Sequence, residues 1–284
     1  MEARQKQAAV AAVLFLFLAA GPAALSRPNL SSSAGQAGTQ AGAQTGTICV
    51  HYLGHASFMF EFDNGVTLLA DYGRSRSYGL DSPIYGIGDF RPDILLYTHT
   101  HHEDHAGGLA PKNIPTVIKG PDMLQFKGIR LRPVPTYEQS LETFDNYSYI
   151  ISYKGINILF FGDPQALIAN VAKPEVRSSV QADYAGTFDL LLLPIGHIED
   201  IVPAAAEFLA LFQAQRVVPM HYWSPQERVN FLSILRGKVE TERKPYVFEA
   251  PGGPRLCLDP PRGGIDSIRV ISLEPAVYAP RRRP

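Results

Sequence analysis

From Ile48 onward the chain alternates short apolar runs with turn signals. Phe58, Phe60 and Phe62 are separated by Met59 and Glu61, and Asp63-Asn64-Gly65 then leads into Val66 to Ala70. That spacing predicts a β-hairpin closed by an Asn-Gly turn. A second hairpin is expected where Tyr147 to Tyr153 meets Ile156 to Phe161 across Lys154-Gly155. Further strands are expected at Asp93 to Tyr97, Thr116 to Ile118, Ile129 to Val134, Asp189 to Leu193 and Arg216 to Met220. The unbroken runs Ile94-Leu95-Leu96 and Leu190 to Leu193 suit strands covered on both faces, so helices should supply the cover. Val202, Ala206, Leu209 and Phe212 recur at helical spacing and predict a helix over Pro203 to Gln213. Ser224-Pro225 resembles an N-cap followed by a first-turn proline, opening a helix through Val229, Leu232 and Leu235 that should stop at Gly237. A shorter helix is expected from Pro164 to Val171. Early hairpins followed by alternating strands and helices predict a layered α/β architecture.

The N-terminal region has a different character. Arg4 and Lys6 precede an apolar run from Ala8 to Ala20, and Ala24 and Ser26 stand at −3 and −1 of a cleavage position after Ser26. This is the pattern of a secretory signal peptide, residues 1–26. The uninterrupted run is shorter than the roughly 20 residues of a spanning helix, which leaves an uncleaved anchor as the alternative. Residues 27–46 are mostly small and polar and read as a flexible linker. The folded domain is expected over 47–276, and residues 277–284, ending in three arginines before Pro284, read as a disordered basic tail.

Composition narrows the function. The 284 residues are 45% hydrophobic and 19% charged, with a formal net charge of −1, enough apolar content for a sizeable core. Nothing in that balance drives binding to nucleic acid or to an anionic membrane, so the expected partner is a small-molecule substrate. Two cysteines, Cys49 and Cys257, are too few for a thiolate zinc site; they can bridge only with Cα atoms within about 7 Å. Any metal must therefore be held by nitrogen and oxygen. Of the eight histidines, four (His99, His101, His102 and His105) fall between positions 99 and 105. They follow the buried run Ile94-Leu95-Leu96, share a loop with Glu103 and Asp104, and are followed by Gly107-Gly108. A strand end feeding imidazoles and carboxylates into a tight loop suits a divalent cation.

This segment resembles the histidine motif of the metallo-β-lactamase superfamily, Thr-His-x-His-x-Asp-His, and other motifs follow in that family's order. Tyr52-Leu53-Gly54-His55-Ala56-Ser57-Phe58 resembles the opening strand of the branch that includes ascorbate-6-phosphate lactonase and N-acyl-phosphatidylethanolamine phospholipase D. Phe160-Phe161-Gly162-Asp163 resembles the strand-end Gly-Asp whose carboxylate bridges two metals, and Val218-Pro219-Met220-His221-Tyr222 resembles the late Pro-x-His. The resemblance implies a single-domain, four-layer αββα sandwich. It also implies a secreted hydrolase that binds one or two divalent ions, zinc first with manganese or iron as alternatives. Its metal ligands would come from His99, His101, His102, Asp104, His105, Asp163 and His221, with Asp104 and His55 in catalytic roles. A metal-bridged hydroxide would then attack a lactone, ester or phosphodiester. Tyr137 and Tyr222 are further candidates to contact substrate.

Two departures stand out. One residue more than the family spacing separates His101 from Asp104. Anchored from the left, His99 and His101 are the paired ligands and Glu103 is the insertion; anchored from the right, His102, Asp104 and His105 keep the spacing and Thr100 replaces the first histidine. Glu138 also stands where the related branch commonly has histidine, with His197 a rival third imidazole. A degenerate, non-enzymatic metal-binding scaffold and a β-lactamase are the alternative functions.

Overall fold

A computed structural model describes residues 46–280, apart from 80, 82, 108–110, 197–200, 243–244 and 261–263. The expected signal peptide, nearly all of the linker, His197 and the arginines of the tail lie outside the described residues.

The strands are β1 (Ile48–Gly54), β2 (Ser57–Phe62), β3 (Thr67–Ala70), β4 (Ile94–Tyr97), β5 (Thr116–Lys119), β6 (Leu124–Phe126), β7 (Ile129–Thr136) and β8 (Asn146–Tyr153). They continue with β9 (Ile156–Phe160), β10 (Thr187–Phe188), β11 (Leu190–Pro194), β12 (Gln213–Ala214), β13 (Arg216–Met220), β14 (Tyr246–Glu249), β15 (Arg255–Leu258) and β16 (Ile268–Ile271). The helices are α1 (Glu103–Ala106), α2 (Gln165–Ala169), α3 (Pro174–Asp183), α4 (Ile201–Leu209) and α5 (Pro225–Glu242). One sheet runs β15-β1-β2-β3-β4-β5 and the other β14-β16-β13-β11-β9-β8-β7-β6, with β10 and β12 forming a separate short parallel pair. In the second sheet β9, β11, β13, β16 and β14 are parallel, so their carboxyl ends open on one edge.

Period-two alternation decides which side chains go between the sheets. Phe58, Phe60, Leu68, Ala70, Ile94 and Leu96 join the main core, while Met59, Leu69 and Leu95 face the other way into a second apolar cluster. Phe160 meets Phe58 and Phe60 edge-on, at 6.2 and 6.4 Å between centroids, and so joins the two sheets. Its neighbour Phe161 points outward onto Phe208 of α4. Helices α4 and α5 thus cover the second sheet. On the first sheet the outer cluster is closed by Ile84, Ile87 and Tyr278 from irregular chain rather than by a long helix among the described residues.

Both expected hairpins form. Lys154 (φ 44°) and Gly155 (φ 85°) both take the left-handed backbone of a tight two-residue turn, whereas in the first hairpin Gly65 (φ 84°) does so and Asn64 accepts from the Val66 N–H instead. Other expectations are corrected. The helix expected to stop at Gly237 continues to Glu242: Gly237 faces open space, and Phe231 and Leu235 anchor the helix from its buried side. The helix placed at Pro203 to Gln213 lies at Ile201–Leu209, because Gln213 and Ala214 are drawn into the short strand pair. Residues 277–280 are not a free tail. Tyr278 is buried, its N–H donates to the Gly86 carbonyl (3.1 Å) and its hydroxyl to Glu61 (2.6 Å).

Candidate metal centre

The site is assembled at the ends of strands. The β1–β2 turn supplies His55, the end of β3 Asp71, the end of β4 His99, the end of β9 Asp163 and the end of β13 His221. Three of these residues hold backbone that L-residues rarely adopt: His55 (φ 52°), Asp71 (φ 41°) and His221 (φ 50°). Left-handed backbone costs roughly 1–2 kcal/mol per non-glycine residue, and such strain concentrates at functional sites. Here the Nε2 atoms of His55 and His221 come within hydrogen-bond or ion-pair reach of Asp104, and the His221 N–H donates to the His55 carbonyl (2.9 Å).

The additional residue of the histidine motif is absorbed where loop becomes helix. His102 is extended (φ −113°, ψ 137°), α1 starts at Glu103, and Asp104 and His105 lie within its single turn. Two groups of ligand atoms result, each with its members within 4.8 Å of one another: His99, His101 and Glu138 in one, His55, Asp104, His105 and His221 in the other. Within the first, His101 Nε2 is 3.0 Å and His99 Nε2 3.6 Å from Glu138 Oε2. His102 belongs to neither group; its Nε2 lies 3.0 Å from the other Glu138 oxygen. Asp163 is also outside both, with Oδ2 3.4 Å from His221 Nε2 and accepting from Gln165 (2.8 Å). Glu138 is held by its backbone: its N–H donates to Asp145 (2.6 Å), and its carbonyl accepts from Ala166 (2.9 Å).

A ring of acceptors sits behind the imidazoles. His105 Nδ1 donates to Asp71 Oδ2 (2.8 Å), whose carboxylate also accepts from the Thr98 N–H (2.8 Å) and hydroxyl (2.6 Å). His99 Nδ1 donates to Asn146 Oδ1 (3.1 Å). With their Nδ1 positions used in this way, both imidazoles present Nε2, and buried atoms His99 Nε2, His105 Nε2, Asp104 Oδ1 and Asp163 Oδ1 have no hydrogen-bond partner among the described residues. Buried polar atoms are rarely left so, and neutral imidazoles plus carboxylates are the donor set of a divalent cation. The residues therefore fit the metals that the sequence implies.

Electrostatics agree with that reading. Burial holds His105 down at about 3 and His99 well below the usual imidazole range, so both offer neutral nitrogen. Burial and the neighbouring Asp145 and Asp104 push Glu138 up to about 8; burial and Glu138 raise Asp163 well above the carboxylate range. Burial, helped by the Asp104 charge and opposed by His99 and the Thr98 hydrogen bonds, pushes Asp71 up to about 7. Burial also opposes ionisation of Asp104, but the His55 hydrogen bond and the facing imidazoles outweigh it and hold its carboxyl well below the usual range. A concentration of buried carboxylates that resist ionisation together is what a bound cation would relieve.

The centre opens into a cleft lined by Tyr78, His102, Asp104, Glu138, Asp163 and Trp223. Tyr78 is 53% exposed at its mouth. Two sequence candidates lie elsewhere: Tyr222 is buried in the main core, and the Tyr137 ring packs on Phe144 (4.7 Å). Sequence reasoning missed Asp71, Asn146 and Gln165. Asp71 directly follows an apolar strand, as Asp163 nearly does, and that position was the available signal.

A family model described as a beta-lactamase superfamily domain matches residues 49–221, a span that contains every member of both ligand groups. A UPF0173 metal-dependent hydrolase of Methanobrevibacter smithii is 24% identical over 236 residues, covering 67% of this chain and 91% of the relative. Another from Pyrococcus horikoshii is 26% identical over 206 residues, covering 62% and 86%. Among solved structures, a metallo-β-lactamase superfamily protein of Thermotoga maritima, proposed there to be a zinc-dependent hydrolase, superposes with a TM-score of 0.54 at 22% identity, covering 80% of this chain and all of that one. A proposed metal-dependent hydrolase of Parabacteroides distasonis gives 0.50 at 17% identity, covering 80% and 94%.

Proposed function

The chain belongs to the metallo-β-lactamase superfamily and is a metal-dependent hydrolase; from that premise we propose that it is a secreted two-cation enzyme cleaving small uncharged esters or lactones. The observation that carries the two-cation reading is the pair of ligand groups described above. His99, His101 and Glu138 would hold one cation, Asp104, His105 and His221 the other, with Asp163 beside both. Divalent cations held there would supply electrophilic charge to the scissile group and lower the pKa of water toward neutrality. The chain's own residues do the positioning: His55 holds Asp104 through Nε2 (3.1 Å), Asp71 holds His105, and Tyr78 and Trp223 flank the substrate.

A neutral substrate is favoured over a phosphodiester by the cleft lining, which contains three carboxylates, one imidazole and two aromatic rings but no lysine or arginine among the described residues. The adjacent Arg74 is engaged with Glu103 (3.0 Å). The Tyr52 to Phe58 segment supports placement near the lactonase-like branch. Zinc is favoured by the imidazole-rich donor set, with manganese and iron as the other outcomes. Secretion is supported by the pattern of residues 1–26 and by the Cys49–Cys257 disulfide, since such bonds persist in oxidising compartments.

Metal analysis with a hydrolysis panel tests the proposal. Purified protein should carry two divalent ions and turn over a lactone and a p-nitrophenyl ester in preference to bis-p-nitrophenyl phosphate and a chromogenic β-lactam. A chelator should abolish turnover and zinc restore it. Trace metal content with chelator-resistant turnover would overturn the metal reading, and preference for the phosphate would overturn the substrate class. N-terminal sequencing of exported protein should begin at Arg27.

A further inference from the structure

Asn146 is wholly buried at the start of β8, opposite Thr136 at the end of β7. Its Nδ2 donates to the Phe161 carbonyl (3.0 Å) and to Thr136 Oγ1 (2.6 Å). Its Oδ1 accepts from the Asp163 N–H (3.2 Å) and from His99 Nδ1 (3.1 Å). Two of these partners fix the orientation independently: the Phe161 carbonyl can only accept, so it requires Nδ2, and the Asp163 N–H can only donate, so it requires Oδ1. The oxygen facing His99 carries no hydrogen, so the imidazole proton must sit on Nδ1. The other neighbour of Nδ1, Thr98 Oγ1 at 3.3 Å, gives its own proton to Asp71 and can likewise only accept. Gly162 makes the approach possible, because a Cβ there would lie 2.7 Å from Asn146 Oδ1 and 2.5 Å from Thr98.

We propose that Asn146 is the positioning residue of the first cation site. One amide oxygen holds His99 as the Nδ1–H tautomer, with its Nε2 lone pair facing Glu138 and His101, and fixes the backbone of Asp163 at the border of the second site. The inference rests on the two-cation reading for its effect on metal binding, but its effect on the tautomer stands without it. Asn146 makes no hydrogen bond to His55, Asp104, His105 or His221 and reaches the second site only through the Asp163 backbone, so its loss weakens the first cation most.

Nitrogen-15 NMR of the metal-free protein reads the His99 tautomer directly, and zinc titration reads the two affinities. In the wild type, His99 should carry its proton on Nδ1. Asn146→Ala should mix the tautomers and weaken the first zinc roughly 10- to 100-fold, the usual effect of losing a partner behind a metal-binding histidine, with a smaller change at the second. Asn146→Asp keeps an acceptor at the same place and should restore the Nδ1–H tautomer and part of the affinity. Ser148→Ala, which removes a different buried hydrogen bond to the same Phe161 carbonyl (3.0 Å), should change neither. A wild-type His99 protonated on Nε2 would overturn the proposal, as would an Asn146→Ala protein that binds both ions normally. Should the alanine variant fail to fold, the wild-type and Asn146→Asp tautomers decide. A wild type that binds no zinc would instead sink the two-cation reading while leaving the tautomer result intact.

Discussion

At the scale of single residues, the adjacent imidazoles of His101 and His102 have different jobs. His101 shares a ligand group with His99 and Glu138, whereas His102 reaches only the far oxygen of Glu138 and lines the cleft. His101→Ala should therefore weaken the first cation by at least the roughly 10–100-fold typical of an outer partner, while His102→Ala should keep both ions and alter turnover. Zinc titration of the two variants checks this, and the reverse result would favour the right-anchored alignment. Glu138 adds a pH dependence. Because burial first, then nearby carboxylates, raise its pKa to about 8, it carries a proton at pH 7 without metal, and a cation must displace that proton. His99 and His105, held low, are already neutral above pH 6 and release none. Affinity for the first ion should thus fall as pH falls from 8 to 6, about tenfold per unit for each proton displaced, and Glu138→Gln should remove one such unit of slope. Calorimetry in buffers of different ionisation enthalpy measures the proton release.

At the scale of elements, Asp63 ties the turn of one hairpin to the turn of the other. It accepts from Lys154 Nζ (3.0 Å), from the Tyr153 hydroxyl and from the Thr47 N–H (3.1 Å). Slight burial works against its ionisation, but the Tyr153 and Lys154 hydrogen bonds prevail and lower its pKa. A carboxylate depressed in the folded state contributes stability above its unfolded value near 3.9 and loses it as pH falls through the folded value. Asp63→Asn should therefore lower Tm modestly at pH 7, and thermal melts should show the gap to wild type closing below about pH 4. A gap that stays constant down to pH 3 would assign the effect to packing. The hairpins themselves were legible because turn chemistry and alternation are local. Helix α3 was not, since Val176 and Val180 are its only buried residues, and the four-residue strands β14, β15 and β16 were not, since each is half-buried and mixed with charged side chains. At the site, the strand-end histidines and Asp163 stood out in sequence as chemistry in a recognisable order. Asp71 and Asn146 did not, because their roles exist only once β3, β4, β8 and β9 bring them behind the imidazoles.

At the scale of the molecule, the first sheet is closed by chain from both ends of the domain. Strand β15 pairs antiparallel with β1, Cys49 stands opposite Cys257, and the two are disulfide-bonded with Cα atoms 4.0 Å apart and a sequence separation of 208. Apart from that bond, this edge strand is held by a short ladder and by the Arg255–Glu61 ion pair. Closing so long a loop removes much freedom from the unfolded chain, and losing a native disulfide typically costs about 2–5 kcal/mol. The Cys49→Ala/Cys257→Ala double variant should lose stability of that order in urea unfolding at near-constant m, and the wild type in reductant should match it. The bridge sits at the far end of β1 from His55, so metal stoichiometry at temperatures where the variant stays folded should be unchanged. Equal unfolding curves with and without reductant would mean that the two thiols do not pair in the protein. A loss of bound metal without unfolding would mean that the edge strand helps to hold the β1–β2 turn, making this closure part of the site's support as well as the fold's.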